Sequence, residues 1–309
     1  MKNNRLNLNK IEQISDIDED FIYEMMPEIL DILLIDRTKS NQRYTKNIIW
    51  ANDNFKHLNT KLYGAKSEIK SELITGKMSD LIKPRSLKTE DQQKLRTKSK
   101  AEVFTPTWIV KLQNDEVDKN YIDDDIEKYI SRKWLEITCG EAPYITSRYD
   151  MTTGKYIELK DRVGFLDRKL QRINDEIEDK ISWQKYVEKA YKASYGFEWS
   201  GDSLFLAREN LLFTYIDYFI DKWNEEPLKE FIKDIAIIIS YNLFQMDGLK
   251  YIIPLSEKIE IVEEIQLDFL DDNDKEDKKI KIIPGKRVKI MNWETGKMEF
   301  FDKGLNHGN

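Results

Sequence analysis

Apolar positions along the chain change period several times, and each change predicts an element. Short runs come first: ILLID (Ile32 to Asp36) and KNIIWA (Lys46 to Ala51) read as strands separated by polar turns. In VFTPTWIV, Pro106 forbids a continuing strand and sets up a turn into an apolar segment. A polar, acidic interval (Asn114 to Lys128) follows, and then Trp134 to Thr138 reads as a buried strand. From Val163 the apolar residues Leu166, Leu170, Ile173, Ile177 and Ile181 recur at three- and four-residue spacing amid dense charge, which predicts one long amphipathic helix. YGFEW (Tyr195 to Trp199) reads as a second strand, leading into a helix with an inner stripe of Leu204, Ala207, Leu211, Tyr215 and Tyr218.

Another helix is predicted in LKEFIKDIAIIIS, with Leu228, Phe231, Ile232, Ile235, Ile238 and Ile239 on one face. A buried strand at Ile235 to Ile239 is the alternative, and the preceding helical spacing favours the helix. NLFQM, ending at Asp247-Gly248, fits a third strand, and IKIIPGKRVKIMNWETGKMEFF reads as a β-hairpin with Gly285 and Gly296 at turns. Strand, helix, strand, helix, helix, strand is the order of a parallel α/β sheet. Three sections are expected: residues 1–99, an N-terminal α+β section ending in a basic linker; 100–255, an α/β core with a helical insertion at about 157–192; and 256–309, a C-terminal β extension.

Composition narrows the classes. The chain has 309 residues with 40% hydrophobic content, including 7 Trp, 15 Tyr and 13 Phe, enough to fill a sizeable core. The longest apolar runs, such as Ala236 to Ile239, fall far short of a membrane span, and MKNNRLNLNK lacks the apolar stretch of a secretory signal, so a cytoplasmic protein is expected. A single cysteine excludes an internal disulfide. The two histidines, His57 and His307, lie far apart and offer no metal-ligand spacing, which argues against zinc or histidine acid–base chemistry. The net charge of −7 argues against whole-surface attraction to a polyanion. Lys83 to Lys100 nevertheless carries seven Lys/Arg against Glu90 and Asp91, and reads equally as a solvated linker or a phosphate-contacting arm.

In parallel sheets ligands sit at the carboxyl ends of the strands. Gly140 follows the first strand and lets a ligand approach the backbone. A helix starting near Pro143 would turn a positive dipole end toward a carboxylate. Glu198, ending the second strand, is placed to accept hydrogen bonds from ribose hydroxyls, and Asp247, after the third, from an adenine ring or amine. Turn glycine, capping acid and turn acid are the plainer readings of these three. Together they suit a ligand with a carboxylate, a ribose and an adenine: S-adenosylmethionine or, less well, a dinucleotide.

These residues resemble the adenine-specific (N-6) DNA methyltransferases of bacterial restriction–modification systems, above all the type I modification-subunit group. In that family a Phe-Thr-Pro motif precedes the first strand and helps hold the cofactor's methionine part. Phe104, Thr105 and Pro106 in AEVFTPTWIV look like it. The family's Asp-Pro-Ala-Cys-Gly-Ser-Gly motif corresponds to EITCGEA, matching at Cys139 and Gly140 and keeping an acid at Glu136, with Ile137, Thr138, Glu141 and Ala142 departing. YGFEW and NLFQMDGL are similar to the next two strand segments, which makes Glu198 the ribose acid and Asp247 the adenine-side acid. The resemblance covers Lys100 to roughly Leu249, with a charged helical insertion between the first two strands.

It implies a Rossmann-like methyltransferase sheet with helices on both faces, S-adenosylmethionine as cofactor, DNA as partner, and a specificity or restriction subunit as a further partner, with neither membrane nor metal involved. The family's catalytic motif is Asn or Asp, two prolines and an aromatic. The prolines here are Pro27, Pro84, Pro106, Pro143, Pro227, Pro254 and Pro284, no two adjacent, so that motif is absent as such. Asn292-Trp293 offers an amide beside an aromatic, either a degenerate substitute or an ordinary hairpin pair. Two functions are therefore expected: a DNA adenine methyltransferase-like protein, or a catalytically inactive module of the same fold acting as a DNA-binding or assembly partner. An unrelated nucleotide-binding enzyme is a weaker third reading, since the chain has neither GxGxxG nor GxxxxGK[ST].

Overall fold

A computed structural model describes residues 26–84, 105–263 and 278–303. Phe104, most of the basic stretch ending at Lys100, and His307 lie outside the described residues. Three parallel strands form the centre: β1 (Trp134–Glu136), β2 (Ser194–Glu198) and β3 (Leu243–Gln245), hydrogen-bonded in that order. Trp134 pairs with Ser194, and Glu198 with Gln245. The expected α/β class and sheet direction are thus present.

Before the sheet come α1 (Pro27–Leu34), α2 (Thr60–Tyr63), α3 (Thr107–Asp118) and α4 (Ile126–Ser131). Between β1 and β2 lie α5 (Phe165–Glu176) and α6 (Lys180–Lys192), and between β2 and β3 lie α7 (Gly201–Trp223) and α8 (Lys229–Asn242). The remaining strands, β4 (Lys258–Glu263) with β5 (Lys278–Ile283) and β6 (Lys289–Asn292) with β7 (Lys297–Phe300), make two antiparallel pairs.

Several elements differ from the sequence reading for identifiable reasons. Ile32 to Leu34 of ILLID end α1, because Ile29, Leu30, Leu33 and Leu34 are buried together on one helical face and Pro27 sits where a helix tolerates it; Ile35 is extended. KNIIWA makes only single bridges, Ile35 to Asn47 and Ile49 to Glu68. The long charged helix is two helices. Ile177 leaves helical geometry, and Asp179 then accepts the Ser182 N–H and starts α6, leaving Ile181 exposed. At the C-terminal end Gly296 turns β6 into β7 as expected. Gly285, however, connects two different strand pairs and lies against Ile252, so only β6 and β7 form the expected hairpin and the strand before Gly285 pairs with β4 instead.

The sheet has two unlike faces. Trp134 stacks on Phe165 of α5 with ring centroids 5.1 Å apart, and Ser194 Oγ donates to the Ala190 carbonyl of α6, which marks the helical face. The opposite face, Phe197, Phe244 and Met246, packs on Val288 and, at its margin, Ile290 and Phe301. Helices were expected on both faces; among the described residues the second face is covered by the β6–β7 pair and the chain leading to it.

One core runs from Met26 and Trp50 through Leu170, Tyr215 and Leu243, so the N-terminal section shares its packing with the sheet. Arg208 fastens the two together. It is fully buried and donates to the carbonyls of Leu33, Ile35, Ser240 and Leu243. Among the described residues no helix is long and apolar enough to cross a membrane.

Candidate functional site at the carboxyl ends of the strands

After β1 the backbone passes through three left-handed residues in five: Thr138 (φ 48°), Gly140 (φ 56°) and Ala142 (φ 64°). Two are not glycine, and each such residue costs about 1–2 kcal/mol. Strain of this kind persists only where the surroundings over-determine it. Here Cys139 N–H donates to the Phe197 carbonyl (2.9 Å), and Ala142 N–H to that of Cys139 (2.7 Å), pinning the loop to β2. A loop that alternates left-handed and ordinary residues through turns lines up backbone N–H groups as an acceptor-binding concavity.

Glu198 reaches into this concavity from the end of β2. One carboxylate oxygen accepts the Gly140 N–H at 2.9 Å and the other the Ser200 N–H at 3.1 Å. Burial pushes its pKa up, against the lowering effect of those N–H groups. Glu136 closes the loop from below by accepting the N–H groups of Tyr144 (3.3 Å) and Ile145 (3.0 Å). Burial drives Glu136 well above the carboxylate range, opposed by those two bonds and reinforced by the nearby charge of Glu198.

The helix expected to begin near Pro143 is absent. Residues 143–145 form a turn whose Tyr144 and Ile145 N–H groups are bonded by Glu136, and no helix begins there. Cys139 is buried, and burial together with Glu136 and Glu198 pushes its thiol well above the usual value. It is a packing residue, not an activated thiolate.

Glu136, Cys139, Gly140 and Glu198 are thus brought together. Asp247 follows β3 beside them in the sheet, but its Oδ1 accepts the N–H groups of Leu249 (2.9 Å) and Lys250 (3.1 Å) and shapes its own turn. Thr105 and Pro106 lead into α3, where Pro106 is the cap residue. Thr107 N–H and Oγ1 both bond Asp150, at 3.1 and 2.7 Å, tying this start to the chain that follows the loop. Asn292 is not brought to the site. Its Oδ1 accepts Glu294 and Thr295 N–H in the hairpin turn. The adjoining Trp293 donates to Asn242, before β3, and Glu294 pairs with Lys133, before β1; both contacts lie at the amino ends of the strands.

Two residues matter that the motif reading passed over. Gln245 receives the Ile49 N–H (3.0 Å) and donates to the carbonyls of Ile49 (2.7 Å) and Trp199 (2.8 Å), laying the segment around Trp50 across the strand ends. A polar residue in an otherwise apolar strand was the available signal. Gly196 lets Ile145 and Cys139 approach β2: a Cβ there would lie 3.0 Å from Ile145 Cδ1 and 3.2 Å from Cys139 Sγ. Gly140 is the opposite case, since a Cβ there would meet no atom within 4 Å.

A separate groove of about 670 Å³ runs along the open edge of β1, lined by Leu135, Glu136, Ile137, Tyr144 and residues of α3. Leu135 and Ile137 are exposed there, so β1 is an edge strand and not the buried one its sequence suggested. Among the described residues no cluster of His, Cys, Asp and Glu is arranged to hold a metal ion. Comparison with protein-family models, with curated proteins and with solved structures finds no match.

Proposed function

We propose that the chain binds S-adenosylmethionine at the carboxyl ends of β1 and β2 and belongs functionally with DNA adenine N-6 methyltransferases. The observation that carries this reading is the Glu198 carboxylate at the end of the second parallel strand, hydrogen-bonded to the Gly140 N–H of a strained loop with open space above it. The clearance at Gly140 leaves its backbone open to close approach, and an acid at this position is where ribose hydroxyls are bound in nucleotide-binding sheets. Gly140 and Glu198 would hold the methionine and ribose parts, with Phe104, Thr105 and Pro106 on the methionine side and Asp247 toward the adenine. S-adenosylmethionine supplies an electrophilic methyl carbon. The protein's task is to align it with the acceptor nitrogen and exclude water, which requires no covalent intermediate on the chain.

Asn292 is not part of this proposal. With no other Asn-Pro-Pro-aromatic motif in the sequence, the groups that position the target base are to come from a partner subunit. The second reading, a non-catalytic module that keeps the cofactor site, is favoured by the same observation. Calorimetry with S-adenosylmethionine on wild type and Glu198→Ala, followed by methyl-transfer assays on unmodified DNA with and without candidate subunits, tests both. Binding lost in Glu198→Ala together with transfer supports the enzyme. Binding without transfer in any combination supports the module, and no binding by wild type removes both.

A further inference from the structure

On a chain of net charge −7, one pocket is strongly basic. Lys39 and Lys46 from the segment after α1, Lys66 from the segment after α2, and Lys286 from the segment after β5 line a cavity of about 450 Å³, with Tyr44, Ile49 and Glu68 completing it. Three stretches far apart in sequence therefore deliver four ammonium groups against one carboxylate. Lys46 pairs with Glu68 at 3.0 Å, and Lys39 with Asp36 at 3.1 Å. Among the described residues Lys66 and Lys286 have no carboxylate partner, so two of the four positive charges of the pocket are uncompensated.

The position of the pocket is as informative as its charge. Ile49, in its wall, is bonded through both backbone groups to Gln245, and Gln245 in turn holds the Trp199 carbonyl one residue beyond Glu198. The basic cavity therefore adjoins the carboxyl ends of β2 and β3, the same end of the sheet as the loop around Gly140. Exposed lysines on flexible stems act as point charges for phosphate rather than as the planar clamps that read bases. Clustered cations draw a polyanion even when the net charge of the whole protein opposes it.

We infer that this pocket receives the sugar–phosphate backbone of the DNA substrate, with Lys66 and Lys286 contacting phosphates and so holding the duplex against the strand ends. The inference rests on the reading of the chain as a DNA-modifying protein, but its test is independent of the cofactor. Binding of the full chain to a fluorescein-labelled DNA duplex is followed by anisotropy from 50 to 300 mM salt, without S-adenosylmethionine, for wild type and K66A/K286A. Each phosphate contact contributes about 0.9 to the slope of log affinity against log salt, so the double variant should lower the slope by about 1.8 and the affinity roughly 60-fold at 0.1 M salt. The control, K160A/K233A, removes the same formal charge elsewhere and should leave the slope within about 0.3 of wild type. An unchanged slope in K66A/K286A, an equal loss in the control, or no duplex binding by wild type would overturn the inference. A normal duplex result without any S-adenosylmethionine binding would instead retain the pocket and remove the cofactor reading.

Discussion

Replacing Gly140 by alanine separates a ligand cradle from a merely tight turn. Its φ of 56° is left-handed, so an added Cβ costs about 1–2 kcal/mol in the folded state. The lost freedom of the unfolded chain returns about 0.4–1 kcal/mol. Beyond its two chain neighbours no protein atom lies within 4 Å of the new methyl group, so no packing clash is added. The net destabilisation is then about 1 kcal/mol, a shift of roughly 2–4 °C in Tm or less for a chain of this size. A ligand lying over the loop meets the methyl directly, and overpacking of this kind costs about 1–3 kcal/mol, or roughly 5- to 150-fold in affinity. Thermal unfolding and calorimetry with S-adenosylmethionine on the same preparations give both quantities. Gly196→Ala is the counterpart, because its Cβ strikes Ile145 and Cys139 within the protein and should lower Tm more than Gly140→Ala does. If wild type binds and Gly140→Ala binds equally well, the space above the loop is not where the ligand lies.

Other consequences follow from the buried charges. Lys169 is buried, donating to the carbonyl of Arg132 at 2.7 Å, and burial lowers its pKa to about 7. Between about pH 7 and the ordinary lysine value the unfolded chain holds a proton that the folded chain has shed, so this residue makes stability rise with pH in that window. Urea midpoints from pH 7 to 9.5 should show a shallower rise in Lys169→Met than in wild type. Arg208→Met removes the donors to four buried carbonyls and should cost about 3–5 kcal/mol in urea unfolding, since several buried acceptors lose their partner at once. Asp217 accepts from both Arg148 (2.9 Å) and Arg162 (2.7 Å); although burial opposes ionisation, the two guanidinium groups hold its pKa below the usual range. Asp217→Asn leaves both arginines without their counter-charge and should cost about 3–5 kcal/mol, measured the same way.

What could be read from the sequence divides along physical lines. The strands Ser194–Glu198 and Leu243–Gln245 and the helices flanking them were legible, because their apolar periods are strong and they are buried. ILLID was not, since a short apolar run has no period that separates strand from helix and only its packing decides. The break at Ile177 was hidden because the apolar spacing continues through it, while the deciding feature, the Asp179 side chain accepting Ser182 N–H, is a local capping bond.

The site was legible in its residues more than in their roles. Gly140 and Glu198 meet as their positions at adjoining strand ends suggested, and Glu136 accepts the Tyr144 and Ile145 N–H groups and so holds the loop shut. Asn292 failed because adjacency in sequence to an aromatic says nothing about which end of the sheet a hairpin reaches. Ala142 carries the most instructive difference. Standing where the resembled motif has its second glycine, it is fully buried and still left-handed at φ 64°. The chain therefore bears left-handed strain here without the glycine that would relieve it. With Thr138 in the same state, two unfavourable backbone conformations are kept within five residues, next to a carboxylate held by the loop's own N–H. Ala51, Tyr251 and Leu255 are left-handed as well, so strain alone does not single this loop out; what does is that its strained residues flank Gly140, whose N–H holds Glu198 at the end of the neighbouring strand.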